Sequence, residues 1–574
     1  MNTRIITLSL VLLLMQACNK NSDQALLEEP SPKSSEELVS QVQAVKPDRT
    51  QHQPGVISPA PLPLAESSLV QAQEHKRKAY DQAANMMGRS YIQDYRMPLP
   101  EYENRENYAH FSDNPLHKVS EQPVSTFSID VDTGAYSNMR RMLNQGQLPV
   151  ADAIRTEELI NYFSYDYPSS HVKDQPFTVT TEVAATPWNK HTQLLHIGLQ
   201  GYVQDDSQLP PANLVFLIDV SGSMQSQDKL PLLKSGLKLL VKQLDKNDRM
   251  AMVVYAGASG VVLDSTTGDQ HMVINLALDK LAAGGSTNGA SGIELAYQMA
   301  AKGFIKGGIN RILLATDGDF NVGVTHFETL KQMVADKRQQ GIALSTLGFG
   351  RGNYNDHLLE QLADVGNGNY SYIDTLKEAR KVLVEQMAAT LNIIARDVKI
   401  QVEFNPAQVT EYRLIGYENR HLNREDFNND KVDAGDIGAG HTVTALYEIT
   451  LTGSAGQRID DLRYQAASIR APATHGEELA YVRLRYKRPN QDSSQLLEHG
   501  VMTSDIQKQL NQTSERFRFA AAVAAFGQQL RGGTYMEDFD YDDILSLARQ
   551  SRGKDLNAYR GEFIQLVALA KTLN

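Results

Sequence analysis

Polar side chains that could hold a metal ion occur at three separate places in the middle of the chain. Asp219, Ser221 and Ser223 directly follow the apolar run "NLVFLI". Thr287 lies in the loop "AAGGSTNGASG", and Asp317 follows the run "RILLAT". Such carboxylate and hydroxyl oxygens suit Mg²⁺ or Mn²⁺ better than Zn²⁺, because zinc prefers nitrogen and sulfur ligands. The set would also leave positions of an octahedral ion open for water or for an oxygen atom of a partner.

The three places belong to a stretch, residues 211–396, whose pattern alternates between strands and helices. The alternation with short loops predicts a mostly parallel sheet covered by helices on both faces. Ligands of such an open sheet bind beyond the carboxyl ends of its strands, which is where the polar residues fall. The predicted strands are "NLVFLIDV", "RMAMVVYA", "GVVLDSTT", "RILLATDG", "IALSTLGFG" and "NYSYID".

The combination of "DVSGS", a distant Thr and "TDG" resembles the metal-ion-dependent adhesion site of von Willebrand factor type A (vWA) domains. The resemblance covers residues 211–396 and implies a doubly wound, Rossmann-like α/β fold. It also implies that the five residues named above hold the ion, directly or through water. In vWA domains an acidic residue of a partner usually completes the ligand shell, so we expect a protein partner that offers an Asp or a Glu. In vWA relatives, ligand binding can shift the last helix, which would here be about residues 375–394.

The segments on either side extend the resemblance over most of residues 80–574. "STFSIDVDTGAYSNMRRMLNQGQLP", "RTEELINYFSYDYP" and "DAGDIGAGHTVTALYEI" resemble segments around the domain in bacterial vWA lipoproteins of the uncharacterised YfbK type. That family brings an architecture but no established activity.

Strand-rich runs lie both before and after the vWA block. We expect an α+β region at 76–210, and a C-terminal region at 397–574 that is β-rich over 397–490 and helical over 512–574. Because strands flank the block on both sides, we predict that it is inserted into a single β-sandwich.

An earlier phrase, "FSIDVDTGAY" at 127–136, looks like a second copy of the metal-binding phrase. Asp130 and Asp132 fall on the same face of a strand, since side chains alternate, and the pair could bind a cation. However, Asp132 and Gly134 stand where the other phrase has its serines. We therefore expect Asp132 or Thr133 to cap a helix that begins near Ala135.

The N-terminus has the features of an export signal. An apolar run from Ile5 to Met15 is too short to span a bilayer, and Cys18, the only cysteine in the chain, follows it closely. This resembles a bacterial lipoprotein signal over residues 1–18, so we expect Cys18 to be lipidated. Residues 19–75 are rich in Ser, Pro and Glu and predict a disordered tether. Asn19 is not the Asp of many retained lipoproteins, which favours the outer membrane, facing the periplasm.

Composition and the remaining motifs argue against several classes of function. A net charge of −12 argues against a nucleic-acid partner, which would need a basic face. Asp538, Asp540 and Asp542 have the opening spacing of an EF-hand, but its glycine and glutamate are missing, so we expect an acidic helix start there. No histidine falls in a recognisable catalytic motif, and we expect a binding protein rather than an enzyme. The alternative is a metal-assisted hydrolase, or an enzyme subunit, acting in the cell envelope.

Overall fold

The computed structural model describes residues 105–169, 175–203, 209–285, 290–318, 324–463 and 476–574. All of them belong to one compact unit. The elements that precede the central α/β block, in chain order, are strands β1 (His117–Lys118) and β2 (Val124–Ser128), helices α1 (Gly134–Asn144) and α2 (Thr156–Asn161), and strands β3 (Phe177–Thr186) and β4 (Asn189–Gly201).

The central block contains six strands in the order β10-β9-β8-β5-β6-β7. All neighbours are parallel except β6 and β7, so the sheet is mostly parallel, as predicted. The strands are β5 (Ala212–Asp219), β6 (Arg249–Tyr255), β7 (Ser259–Thr267), β8 (Ile309–Thr316), β9 (Ala343–Phe349) and β10 (Tyr370–Ile373). The helices are α3 (Leu230–Val241), α4 (His271–Lys280), α5 (Ala290–Lys302), α6 (Val324–Gln339), α7 (Asp356–Val365), α8 (Leu376–Arg380) and α9 (Met387–Leu391).

The sheet is covered on both faces, which explains its continuous apolar strands. Every residue of β5 is buried, as expected for a central parallel strand. Leu233 of α3, Ile274 of α4 and Ala379 of α8 pack on one face, and Ile293 of α5 and Leu330 of α6 pack on the other. The predicted doubly wound fold is therefore the one observed.

After α9 the chain returns to strands and then to helices. The strands are β11 (Ile393–Phe404), β12 (Val409–Ile415), β13 (Ile437–Gly438), β14 (Thr442–Leu451), β15 (Glu478–Lys487), β16 (Ser494–Met502) and β17 (Ile506–Gln507). The helices are α10 (Glu515–Leu530), α11 (Tyr541–Gln550) and α12 (Tyr559–Leu573).

Strands from both sides of the block pair with one another. One sheet has the order β1-β12-β14-β4-β3-β17, and the other has the order β13-β11-β15-β16 with β2 paired to β11. The two sheets share a core that includes Phe127, Leu195, Val402 and Tyr447. The block is thus inserted into a single β-sandwich, which confirms the prediction from the flanking strands.

A helical layer covers one face of this sandwich. α1, α2 and the three C-terminal helices share a core with Ala184 and Leu194 of the sandwich. α1 also meets the central block closely: a Cβ atom on Gly134 would lie 2.1 Å from the ring of Tyr370 in β10. Only a glycine allows this approach, so the first residue of α1 fixes the contact between the sandwich region and the block.

Three arginines outside the block, Arg140 and Arg155 fully buried and Arg420 largely so, bind carboxylates inside it. Arg140 contacts Asp374 and Glu378, Arg155 contacts Asp356 and Glu360, and Arg420 contacts Glu360 and Asp364. Arg140 of α1 also reaches Glu562 of α12. The central block is therefore joined to the rest of the unit by buried ion pairs as well as by the chain.

Candidate functional site

Asp219 ends β5, the strand at which the winding of the sheet reverses between β6 and β8. Its side chain is buried, and its Oδ1 atom accepts a hydrogen bond of 2.8 Å from the backbone N–H of Ser221. Its Oδ2 atom accepts a bond of 3.1 Å from the hydroxyl of Thr316, the last residue of β8. Burial raises the pKa of Asp219 to about 6, and the nearby charge of Asp317 adds to this rise. The ionised form of such a buried carboxylate is strongly stabilised by a nearby cation.

Ser221 and Ser223 lie in the turn that follows β5. Their hydroxyl oxygens are 2.9 Å apart, and Ser223 is exposed, so the pair opens toward solvent. Two backbone hydrogen bonds hold this turn against the segment after α4. Gly222 donates to the carbonyl of Gly285 over 3.1 Å, and Gly284 donates to the carbonyl of Val220 over 2.7 Å.

Asp317 follows β8 and is fully buried, where it meets a residue that the motif did not identify. The ammonium group of Lys229 lies 2.8 Å from its Oδ2 atom, and the Lys229 side chain is 8% exposed. Nothing in the sequence singled out Lys229, because a lysine just before a helix is common on protein surfaces. Asp317 is thus already paired with a positive charge of the protein itself.

Glycines make the tight packing around this ion pair possible. Gly318 has a φ of +91°, and a Cβ atom there would lie 2.2 Å from the backbone nitrogen of Asn355. Gly350 has a φ of +70°, and a Cβ atom there would lie 2.0 Å from Cε of Lys229. A side chain at either position would displace the loop that carries Asp317 or the lysine that faces it.

The structure therefore brings together four of the five predicted ligands, Asp219, Ser221, Ser223 and Asp317. Thr287 lies outside the described residues, as does Cys18. Within the described part of the chain, no group of three or more His, Cys, Asp or Glu side chains is placed to hold a metal ion. Two carboxylates with hydroxyls are nevertheless a donor set that fits Mg²⁺ or Mn²⁺, which take oxygen ligands and retain water.

The prediction that Asp132 or Thr133 caps the helix that begins near Ala135 was wrong. Thr133 stands at the N-cap of α1, but its own side chain makes no capping hydrogen bond. Instead Glu158 of α2 accepts from the N–H of Ala135 over 2.7 Å, and Asp132 accepts from the N–H of Tyr370 over 2.9 Å. The cap comes from a distant helix, because the insertion places β10 and α2 beside this turn.

Asp130 and Asp132 are both buried and lie against Arg420. Asp130 accepts a hydrogen bond of 3.0 Å from this arginine, and Asp132 lies 3.7 Å from it. These carboxylates therefore belong to the contact between the sandwich and the α/β block. At the other rejected motif, Asp540 caps α11 together with Asp543, which confirms an acidic helix start.

The doubly wound sheet, with Asp and Ser side chains at the carboxyl ends of β5 and β8, is typical of a vWA domain. Comparison with known families gives the same assignment. The model of the von Willebrand factor type A domain matches residues 213–386. A model described as von Willebrand factor matches 102–196, and that of the C-terminal part of uncharacterized protein YfbK matches 389–573. vWA domains commonly serve as protein-interaction modules, and this chain carries such a domain.

The particular family follows from a close relative. The chain is 51% identical over 471 residues to the uncharacterized protein YfbK of Escherichia coli (strain K12), an alignment that covers 81% of this chain and 80% of that protein. The chain therefore belongs to the YfbK family.

Two more distant similarities are also found. The chain is 28% identical over 212 residues to the uncharacterized protein sll0103 of Synechocystis sp., which covers 37% of this chain and 49% of that protein. A solved structure, von Willebrand factor type A from Catenulispora acidiphila, is 14% identical, with 66% of this chain and 87% of that chain covered and a TM-score of 0.39. Among the described residues, no helix is both long and apolar enough to cross a membrane.

Proposed function

We propose that the protein is a lipid-anchored module of the bacterial cell envelope that binds another protein through a divalent metal ion. Mg²⁺ or Mn²⁺ would be held by Asp219, Ser221, Ser223 and Asp317, with Thr287 as the fifth ligand. An Asp or a Glu of the partner would complete the shell. The function is binding rather than catalysis.

The observation that carries the proposal is the meeting of Asp219, Ser221, Ser223 and Asp317 at the carboxyl ends of β5 and β8. Thr316 donates to Asp219 and its hydroxyl oxygen accepts from the N–H of Gly318 over 3.2 Å, so one residue ties the two metal-binding loops together. Ser223 is exposed, which leaves a side of the site accessible to a partner's carboxylate.

Anchoring is proposed from the N-terminal sequence. A lipid on Cys18 would hold the chain at a membrane, with the outer membrane favoured by Asn19. A coil of the length of residues 19–75 would span roughly 40 Å on average. The module could then reach partners well away from the lipid surface.

The test compares two doubly substituted proteins with the parent. Ser221→Ala/Ser223→Ala removes two proposed ligands without changing any charge in the site. Ser226→Ala/Ser546→Ala removes two exposed hydroxyls and serves as the matched control. Binding of Mg²⁺ and Mn²⁺ is measured by calorimetry. Each tagged chain is then crosslinked in cells, and the captured proteins are identified by mass spectrometry.

We expect the parent and the control to bind metal and to capture the same proteins, and EDTA to release those proteins. The site variant, folded and equally abundant, should lose both properties. If the parent and the site variant capture identical proteins, metal-dependent binding is wrong and the sandwich and C-terminal helices become the candidate surface.

A further inference from the structure

A pocket of about 350 Å³ lies beside the candidate metal site. It is formed between the turn after β5, the first two turns of α3 and the segment that follows α4. Its lining includes Met224, Leu230, Pro231, Lys234, Leu281 and Ala283. Its volume lies within the range of pockets that accept a ligand group.

The floor of the pocket is apolar. Met224, Leu230 and Leu281 line it and are themselves buried, so their side chains are held in place by the core of the domain. An aliphatic side chain that entered the pocket would leave water for an apolar surface, which is favourable by about 25 cal/mol per Å² of apolar area buried.

Two loops connect the lining of the pocket to the candidate metal site. Met224 directly follows Ser223, and Ala283 directly precedes Gly284, which donates to the carbonyl of Val220. An extended chain advances about 3.3 Å per residue. A segment whose acidic residue reached the metal site could therefore place a neighbouring side chain in the pocket.

The rim of the pocket is basic, in a chain whose net charge is −12. Lys234 and Lys238 lie one helical turn apart on α3, and exposed Lys242 continues the row by one more turn. The ammonium group of Lys234 donates to the backbone carbonyls of Asp279 and Leu281. Lys238 pairs with the carboxylate of Asp279, which is 55% exposed.

We propose that this pocket and its lysine row recognise the partner's side chains next to the acidic residue at the metal site. The partner is an acidic protein segment in which an aliphatic residue stands within two positions of the anchoring Asp or Glu. Further acidic residues of that segment face Lys234 and Lys238. This inference rests on the proposed function, since it requires an acidic anchor at the metal site.

The test selects peptides from a random library displayed on phage, using the full chain in the presence of MgCl₂. Ala282→Phe introduces a large side chain at an exposed position of the pocket lining. Lys234→Gln/Lys238→Gln removes the charges of the row. Lys302→Gln/Lys571→Gln is the matched control, because both lysines are partly exposed and paired with Asp, far from the pocket in the fold.

The parent and the control should enrich peptides that contain an acidic anchor, an aliphatic residue within two positions and additional acidic residues. Ala282→Phe should abolish the aliphatic preference and keep the anchor. Lys234→Gln/Lys238→Gln should weaken binding of the selected peptides on the order of tenfold at low salt, with less loss at high salt.

The outcomes separate this inference from the function on which it rests. Magnesium-dependent selection of an acidic anchor, with no aliphatic or additional acidic preference, overturns the inference and leaves the proposed function standing. Selection that is unaffected by EDTA and by Ser221→Ala/Ser223→Ala overturns both. A library that yields no enriched peptide also counts against the inference, because a pocket of this kind should bind short segments.

Discussion

At the scale of single residues, the ion pair between Lys229 and Asp317 is the feature with most influence on the candidate metal site. A buried positive charge next to a metal-binding carboxylate reduces the attraction of that carboxylate for a cation. The same charge compensates Asp317 when no metal is bound. Lys229 therefore stabilises the candidate site in its metal-free form.

Replacing this lysine tests that balance. Lys229→Met should destabilise the metal-free protein by about 3–5 kcal/mol, because it removes the positive charge that pairs with the buried carboxylate of Asp317. It should also bind Mg²⁺ roughly tenfold more tightly or better, since the competing charge is gone. Calorimetry gives the affinity, and thermal unfolding with and without MgCl₂ gives the stability.

Lys302→Met is the control, because Lys302 forms an exposed pair with Asp264 and should change neither quantity appreciably. Equal metal affinity for Lys229→Met and the parent would mean that the lysine does not oppose the ion.

A second residue makes the stability of the protein sensitive to acid. His196 is fully buried, and its Nε2 atom lies 2.8 Å from the hydroxyl of Tyr167. Burial lowers the pKa of His196 from 6.5 to about 3. Between these values the unfolded chain takes up a proton that the folded chain excludes, so stability falls as the pH falls below 6.5.

His196→Gln should remove the part of the acid-induced loss of stability that this histidine causes. Each pH unit corresponds to about 1.4 kcal/mol, so the loss in unfolding free energy between pH 7 and pH 5 should shrink by about 2 kcal/mol. Urea unfolding at the two pH values measures it. His110→Gln changes an exposed histidine and should keep the parent's dependence. An unchanged slope for His196→Gln would place the acid sensitivity elsewhere.

At the scale of elements, the last helical segment of the vWA domain is held at its start by buried ion pairs. It consists of α8, a π-helical turn over Lys381–Glu385 and α9, and it leads directly into β11 of the sandwich. Arg140 holds its start through bonds of 2.8 Å to both Asp374 and Glu378. Any shift of this segment on binding would have to move these buried charges together with it.

Arg140→Gln should release the segment. Removing one member of a buried ion network costs about 3–5 kcal/mol, and Asp374 and Glu378 would both lose the guanidinium that pairs with them. Hydrogen exchange should accelerate in the last helical segment and in α12, which Arg140 joins through Glu562. The measurement is exchange followed by mass spectrometry on the folded protein.

Arg380→Gln is the control within the same segment. Arg380 is 67% exposed and pairs with Glu385, so its loss should change stability by less than about 0.5 kcal/mol. Equal exchange rates in Arg140→Gln and Arg380→Gln would contradict the role assigned to Arg140.

The sequence allowed the elements to be predicted better than the contacts between them. The apolar runs that end at Asp219 and Asp317 are long and buried on both sides, and such strands are recognisable without knowledge of their neighbours. The helix cap at Thr133 could not be predicted, because Glu158 satisfies the N–H of Ala135 from a different helix. Lys229 escaped prediction for the same reason, since its partner lies 88 residues away.

At the scale of the whole molecule, the proposed anchor determines where the binding surface operates. Cys18→Ser should move the protein from the detergent phase to the aqueous phase in Triton X-114 partitioning, because a serine cannot carry the lipid. Asn19→Asp is the informative companion variant. It should keep the lipid and shift the protein from the outer toward the inner membrane fraction on a density gradient.

Ser22→Ala, four residues after the proposed lipidation site, should leave both distributions as in the parent. A Cys18→Ser protein that still enters the detergent phase would rule out this anchor.

The double connection of the vWA domain to the sandwich has a mechanical consequence. The domain is joined to the sandwich by the chain after Gly201 and again by the chain before Ile393. When a bound partner pulls on the carboxyl edge of the sheet, the tension divides between two covalent links in parallel. The ion pairs of Arg140, Arg155 and Arg420 add to these links in resisting separation of the domain from the sandwich. A domain connected in this way resists peeling from one end, because both links must yield before it separates from the sandwich.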